Sequence, residues 1–341
     1  MSDRTLCVIG LGLIGGSLLR AADAAGWKVR GMARSAAVVA AVRDAGFDAT
    51  SSIEDALADD DALVVLAVPL PAVVDVLPMV TRHAPYCRLT DVVSVKQPVA
   101  AAVARRTPAA RYVGGHPMAG TSASGWAAGS ATLFTGAPWV VGSDDGADPV
   151  VWGQVAGLAL ECGAHVVPAG AADHDAAVAR VSHLPHLLAA VLASVGADGG
   201  SLAMALAAGS FTDGTRVAGS RPELVRAMCE GNRDALLAAV DDALGRLGAA
   251  RGSLASTGGL TATIQAGHLA RRAFDTVRDT ARDNTVHIDT VHVELGSPDA
   301  LAQLRDLGHQ GARVVGLEGT RCQVELTGCV TQTTEHVAHD T

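Results

Sequence analysis

At 341 residues, 49% of them hydrophobic, the chain is long enough for two domains with sizeable cores. Its formal net charge of −9 argues against nucleic acid as a partner and against a basic membrane face, so locally placed cations have to meet any anionic substrate. The six cysteines form no C-x-x-C pair, no basic leader precedes the first apolar run, and no unbroken apolar run reaches the ~18 residues of a membrane helix; these features point to a reduced, cytoplasmic protein.

Residues 6–9 form a short apolar run of strand length. The chain then turns through Gly10, Gly12 and Gly15 and enters helical periodicity over 17–25. This is the G-x-G-x-x-G spacing in a strand–turn–helix context, which predicts a dinucleotide site. Gly10 permits the turn, Gly12 lets backbone approach a pyrophosphate, and Gly15 lets helix and strand lie close. Leu13 and Ile14 complete the turn, so the helix N-terminus offers its free N–H groups to the phosphates.

Residues 28–32 read as a second strand ending in Ala33, Arg34 and Ser35. An acidic residue at that point would hold the ribose 2′-hydroxyl of NAD. Alanine followed by an arginine and a hydroxyl favours NADP while leaving NAD usable. Residues 62–68 are apolar throughout and predict a parallel strand buried on both faces, with Val68 and Pro69 at its carboxyl edge, where ligands bind. Strand character follows at 88–93, leading to Ser94 and Lys96 and a helix to about 104. It recurs at 112–115, 139–142 and 165–168, with a helix over 149–162. The alternation predicts an α/β fold with a doubly wound Rossmann-type sheet over roughly the first half.

From 171 the pattern becomes helical, over 171–195 (interrupted by Pro185), 202–208, 222–247 and 261–282, which implies an all-α region. Strand, helix, strand and strand return at 286–295, 298–307, 312–317 and 322–326. The expected division is 1–168 for dinucleotide binding, 169–284 for a helical substrate and dimerisation domain, 285–330 for a small βαββ element, and 331–341 for a flexible tail.

His116 follows a predicted strand between Gly115 and Pro117, where it can take a proton from a substrate hydroxyl near neutral pH. Ser94 can orient that histidine, and Lys96 can meet an anionic group. His183 and His186 stand three apart on one helical face. They suit a polar pocket wall better than a metal site, for which no completing carboxylate pair exists nearby. A glycine-rich bend from Gly209 leads to Arg216, a candidate carboxylate clamp.

Residues 10–17, 91–96 (DVVSVK), 114–121 (GGHPMAGT), 182–186 (SHLPH) and 209–218 (GSFTDGTRVA), in this order, resemble the prephenate/arogenate dehydrogenase family of tyrosine biosynthesis over about residues 5–280. The resemblance implies that His116 assists deprotonation of the 4-hydroxyl of a cyclohexadienyl ring while hydride leaves for NAD or NADP and the ring carboxylate is lost. It further implies that Ser94 orients His116, that Arg216 binds the substrate carboxylate, that His183 and His186 line the pocket, and that the helical region pairs as a homodimer. Two departures stand out. A run that often reads phenylalanine, lysine, aspartate, phenylalanine is here Phe211, Thr212, Asp213 and Gly214, and a tryptophan frequent after the arginine is here Val225; both affect the side-chain end of the pocket.

A β-hydroxyacid dehydrogenase of similar plan would carry a catalytic lysine on its helical domain, but Lys28 and Lys96 are the only lysines. A silent cofactor-sensing regulator would keep the glycine turn without needing His116, Ser94 and Arg216 together. The 285–330 element resembles part of an ACT fold in its opening but is too short for a whole one, so a structural cap or dimer element is expected.

Overall fold

A computed structural model describes residues 4–121, 123–280 and 289–326. Six parallel strands form the first sheet: β1 (Thr5–Ile9), β2 (Lys28–Met32), β3 (Asp48–Thr50), β4 (Leu63–Leu66), β5 (Arg88–Asp91) and β6 (Arg111–Val113), in the order β3-β2-β1-β4-β5-β6. Residues 6–9 of β1 and all four residues of β4 are apolar because both faces are covered. Leu6 and Val8 pack into one layer and Cys7 and Ile9 into the other; Leu63 and Val65 are divided from Val64 and Leu66 in the same way. Each such leucine or isoleucine contributes about 1.5–3 kcal/mol on burial. Burial also pushes the Cys7 thiol up to about 12, as befits an inert core filler.

The sequence expectation of one sheet running on past residue 113 is corrected here. The strands β7 (Gly115–Pro117), β8 (Pro138–Gly142) and β9 (His165–Ala169) belong to a second, mixed sheet. It is completed by β10 (Asp289–Glu294), β11 (Arg313–Glu318) and β12 (Arg321–Leu326), in the order β10-β12-β11-β9-β8-β7. The join is antiparallel, with Val314 opposite Val166. The βαββ segment, with its helix at Ala300–His309, therefore extends a sheet that begins at His116. The expected tail at 331–341 lies outside the described residues.

The helical region runs from Ala171. Helix Ala171–Val178 passes through a π turn, Ala179–His183, into helix Leu184–Asp198. The π turn explains how Pro185 is accommodated: its ring and missing N–H conflict with regular α hydrogen bonding one turn back, and a wider turn relieves both. By length and composition alone the joined run Ala171–Asp198 is apolar enough to cross a membrane, but a single such helix does not suggest a membrane protein. The expected bend at 209–215 is a short helix, Gly209–Thr215, followed by a 3₁₀ turn Arg216–Gly219. Helices Pro222–Gly231, Arg233–Ser256 and Thr261–Thr280 follow.

Candidate active site

The glycine turn has the expected division of labour. Gly10 has φ +107°, and a Cβ there would lie 2.6 Å from the Ala67 carbonyl oxygen. A Cβ on Gly15 would sit 1.9 Å from the Gly10 oxygen, so the helix Leu13–Ala24 can lie on β1 only with glycine at that place. Gly12 is the opposite case: it is exposed, precedes the first turn of that helix, and has nothing within 4 Å of where its Cβ would stand. An open, side-chain-free approach to a helix N-terminus fits the pyrophosphate of a nicotinamide dinucleotide. Leu13 and Ile14 are half-buried in that turn, and just past β4 the Val68 side chain, followed by Pro69, lies against Gly10, 3.0 Å from where a Cβ would stand. At the end of β2, Ala33 is buried and Arg34 is exposed with no ion pair to any described residue. The Ser35 hydroxyl accepts from the Val38 N–H as the cap of helix Ala36–Asp44, so this hydroxyl has a structural task.

His116 lies on β7, opposite Val140 of β8, not in a loop after a strand. Its close neighbour Gly115 is required by the packing: a Cβ there would stand 2.7 Å from the Asp91 carbonyl oxygen. His116 Nδ1 is 2.8 Å from His174 Nε2, and His174 Nδ1 is 2.7 Å from Asp175 Oδ1. Asp175 in turn accepts the main-chain N–H groups of Lys96 (2.8 Å) and Gln97 (2.9 Å) at the start of helix Gln97–Arg106. These donors hold its carboxyl below the usual range although burial pushes the other way. Burial, helped by His174, Lys96 and His183, holds the His116 imidazole well below its ordinary pKa, so it is neutral at pH 7.

Two expectations are corrected by this geometry. Lys96 is 2% exposed, and its ammonium is ion-paired with buried Asp91 and donates to the Gly115 carbonyl oxygen at 2.6 Å. It braces the backbone next to His116 instead of reaching a substrate. Asp91 also accepts from Tyr112 Oη at 2.6 Å and from the Val93 N–H at 2.8 Å, so the ion pair has its remaining hydrogen-bonding needs met. The ring nitrogen partner of His116 is His174, and among the described residues the half-buried Ser94 hydroxyl has no hydrogen bond.

His183 is buried at the end of the π turn, with Nδ1 3.0 Å from Asn232 Nδ2, and the same amide nitrogen is 2.7 Å from the Asp175 carbonyl oxygen. Burial lowers the His183 pKa to about 4. His186 follows three residues later, half-buried. Burial lowers its pKa, opposed by contact with the Val217 carbonyl and aided by the nearby Arg216. Its Nδ1 has no hydrogen-bond partner among the described residues. Arg216 is exposed and has no ion pair among them, and Gly209 begins the helix that leads to it. His116, His183, His186 and Arg216 thus follow one another within electrostatic reach, three rings whose pKa is lowered and a guanidinium with no ion pair among the described residues. Sequence reasoning missed His174, Asp175 and Asn232. The adjacent His-Asp pair on an alanine-rich helix was the only available signal.

The chain is similar to known proteins over most of its length. Residues 21–168 match the family described as prephenate dehydrogenase, nucleotide-binding domain, and residues 170–257 match prephenate dehydrogenase, dimerization domain. The cyclohexadienyl dehydrogenase of Zymomonas mobilis is 33% identical over 297 residues, covering 80% of this chain and 97% of its own. The prephenate dehydrogenase of Bacillus subtilis is 31% identical over 70% of this chain and 67% of its own. Among solved structures, a Corynebacterium glutamicum protein assigned as a prephenate dehydrogenase superposes with a TM-score of 0.83 at 44% identity, covering 91% of this chain and 98% of that one. Synechocystis arogenate dehydrogenase gives 0.65 at 30% identity, with 83% and 100% covered. With both halves of the chain matched in order, and a relative aligned along nearly its whole length, the chain belongs to the prephenate dehydrogenase family.

Proposed function

We propose that this protein oxidises and decarboxylates prephenate or arogenate in tyrosine biosynthesis, with NAD or NADP as hydride acceptor. The observation that carries the reading is His116: a buried, neutral imidazole whose Nδ1 is engaged by His174 and whose Nε2 has no partner among the described residues. A base of that kind suits a substrate hydroxyl. The dinucleotide, held at Gly10, Gly12 and Gly15, supplies the site that takes the hydride.

In this reading His116 Nε2 takes the proton from the ring 4-hydroxyl as the C4–H pair departs as hydride. The ring carboxylate then leaves as carbon dioxide, and its bonding pair completes the aromatic ring. His116 returns its proton to the phenolate oxygen, so no net proton is consumed. Arg216 binds a substrate carboxylate through its fork, and His183 and His186 line the pocket. Ser94, half-buried between β5 and the helix Gln97–Arg106, serves the substrate hydroxyl end. Ala33 and Arg34, which has no ion pair among the described residues, favour NADP, with NAD usable.

Residues 1–168 bind the dinucleotide, 169–284 carry substrate and dimer contacts, and 285–330 act as a structural cap in a cytoplasmic homodimer. Support for pairing comes from exposed Leu188, Val191, Leu192 and Val195 along one helix and from exposed Ile264, Leu269 and Phe274 on another, apolar surface that a second copy would cover. The test is steady-state turnover of prephenate and arogenate, each with NAD and NADP, for the wild type and His116→Asn. At least one pairing turns over in the wild type, and kcat falls by about two to four orders of magnitude in the variant. No turnover in any of the four pairings, or a variant as fast as the wild type, overturns the reading.

A further inference from the structure

We infer that Asp175 sets the hydrogen pattern of two active-site imidazoles at once. Through His174 it leaves His116 with a bare Nε2 that accepts, and through Asn232 it leaves His183 with an Nε2–H that donates. His174, Asp175 and Asn232 are thus positioning residues, and the inference deepens the proposed dehydrogenase reading on which it rests.

The pattern follows from what each group can offer. The Asp175 carboxylate takes two main-chain N–H groups at a helix start, where negative charge is favoured, and an ionised carboxylate only accepts. The hydrogen in its 2.7 Å contact with His174 therefore sits on His174 Nδ1. His174 is 3% exposed, and the inference takes its ring to carry that single hydrogen, because burying a full charge is costly. Its Nε2 is then a lone pair, and the 2.8 Å contact requires the hydrogen on His116 Nδ1. One hydrogen per neutral ring leaves His116 Nε2 bare.

The second branch starts from the main chain of the same residue. The Asp175 carbonyl oxygen only accepts, so the Asn232 atom facing it at 2.7 Å must be the NH₂. The other hydrogen of that NH₂ points along the 3.0 Å contact to His183 Nδ1, which has to be a lone pair. A neutral His183 consequently carries its hydrogen on Nε2; its lowered pKa is consistent with neutrality.

The consequence is chemical selectivity. Two neighbouring rings with identical composition present opposite polarity, one taking a hydroxyl hydrogen and the other offering a hydrogen to an acceptor oxygen. A substrate matched to both carries a hydroxyl and an acceptor oxygen on the same reacting portion. Loss of the Asp175 carboxylate would free His174, and with it His116, to present the wrong nitrogen, while the main-chain carbonyl of the same residue would still orient Asn232 and His183.

The experiment has two arms. In the first, ¹⁵N-histidine-labelled wild-type protein without ligand is studied by long-range ¹H–¹⁵N NMR, with signals assigned from single His→Gln variants. The expected result is hydrogen on Nδ1 of His116 and on Nε2 of His183; the opposite tautomer at His116, or a protonated His174 donating to it, overturns the inference. In the second arm, His174→Phe removes the acceptor and His174→Gln restores one. kcat should fall by about 100-fold in the phenylalanine variant with KM within about twofold, and glutamine should recover at least about tenfold of the loss. A phenylalanine variant with unchanged kcat overturns the inference, and the spectrum decides if that variant does not fold. If the protein turns over neither prephenate nor arogenate, the proposed function fails while the tautomers are still read directly from the spectrum.

Discussion

The Lys96 main-chain N–H donates to the Asp175 carboxylate at 2.8 Å, while the Lys96 side chain reaches the backbone beside His116. The Lys96 N–H holds the Asp175 carboxylate that anchors His174, and the Lys96 ammonium holds the Gly115 carbonyl next to His116. One residue thus fixes both the ring and the backbone of the proposed base. Lys96→Met should strand the buried Asp91 charge and cost about 3–5 kcal/mol of stability. Urea denaturation checks it; unchanged stability with only a raised KM would mean that the lysine serves the substrate after all.

Gly12 and Gly15 should respond in opposite ways to the same methyl group. Gly15→Ala forces an overlap with the Gly10 carbonyl and should destabilise the fold by about 1–3 kcal/mol or more. Gly12→Ala meets no protein atom, so its melting temperature should stay near wild type while dinucleotide affinity falls roughly tenfold. Thermal melts beside cofactor titrations separate the two, and equal effects from both variants would count against the assignment of Gly12 to the phosphate approach.

Arg216 is an exposed guanidinium with no ion pair among the described residues. Arg216→Ala should raise KM about 10–100-fold, since a charge-assisted hydrogen bond typically supplies about 1.5–3 kcal/mol. Lysine should rescue only in part because it lacks the fork. Steady-state kinetics decide, with an unchanged KM in the alanine variant as the adverse outcome.

The buried histidines make stability depend on pH. The pKa of His183 falls to about 4 in the folded protein and that of His116 lies well below its ordinary value. As pH drops below about 6.5 the unfolded chain binds protons at these sites and the folded chain does not, so stability declines toward pH 4. The lowered Asp175 carboxyl works in the same direction only below about pH 4, where the unfolded carboxylate begins to protonate. Unfolding free energies from denaturant titrations at pH 7 and pH 5 should differ by about 1–2 kcal/mol for each of His116 and His183; a flat profile would show that these rings are solvated.

Cofactor choice should turn on the end of β2. Ala33→Asp should move preference toward NAD by repelling a 2′-phosphate, and Arg34→Ala should weaken NADP about tenfold while sparing NAD. Direct titrations of both cofactors test this, and a wild type that binds NAD far more tightly than NADP would refute it.

The parallel sheet and the glycine turn were legible because they depend on local pattern. Residues 6–9 and 62–68 are uniformly apolar since both sheet faces are covered, and the glycine spacing is dictated within one turn. The second sheet was not legible, because the pairing of Val314 with Val166 leaves no trace in local periodicity. Lys96 misled for a related reason: its charge predicts solvent or substrate unless the distant Asp91 and Tyr112 contacts are known. His174 and Asp175 look like ordinary polar residues of a helix start, and only the approach of His116 and Asn232 gives them a task.

The second sheet also carries a consequence for biosynthesis of the chain. β9 finds its neighbour β8 already made, but its other edge waits for β11, which follows the entire helical region in sequence. Pairings of such long separation form late, and until then β9 offers unpaired backbone that a second nascent chain can capture. Folding of the sheet that bears the proposed base is therefore finished by its last strands, and truncation before β11 should produce aggregation more readily than a merely shortened enzyme.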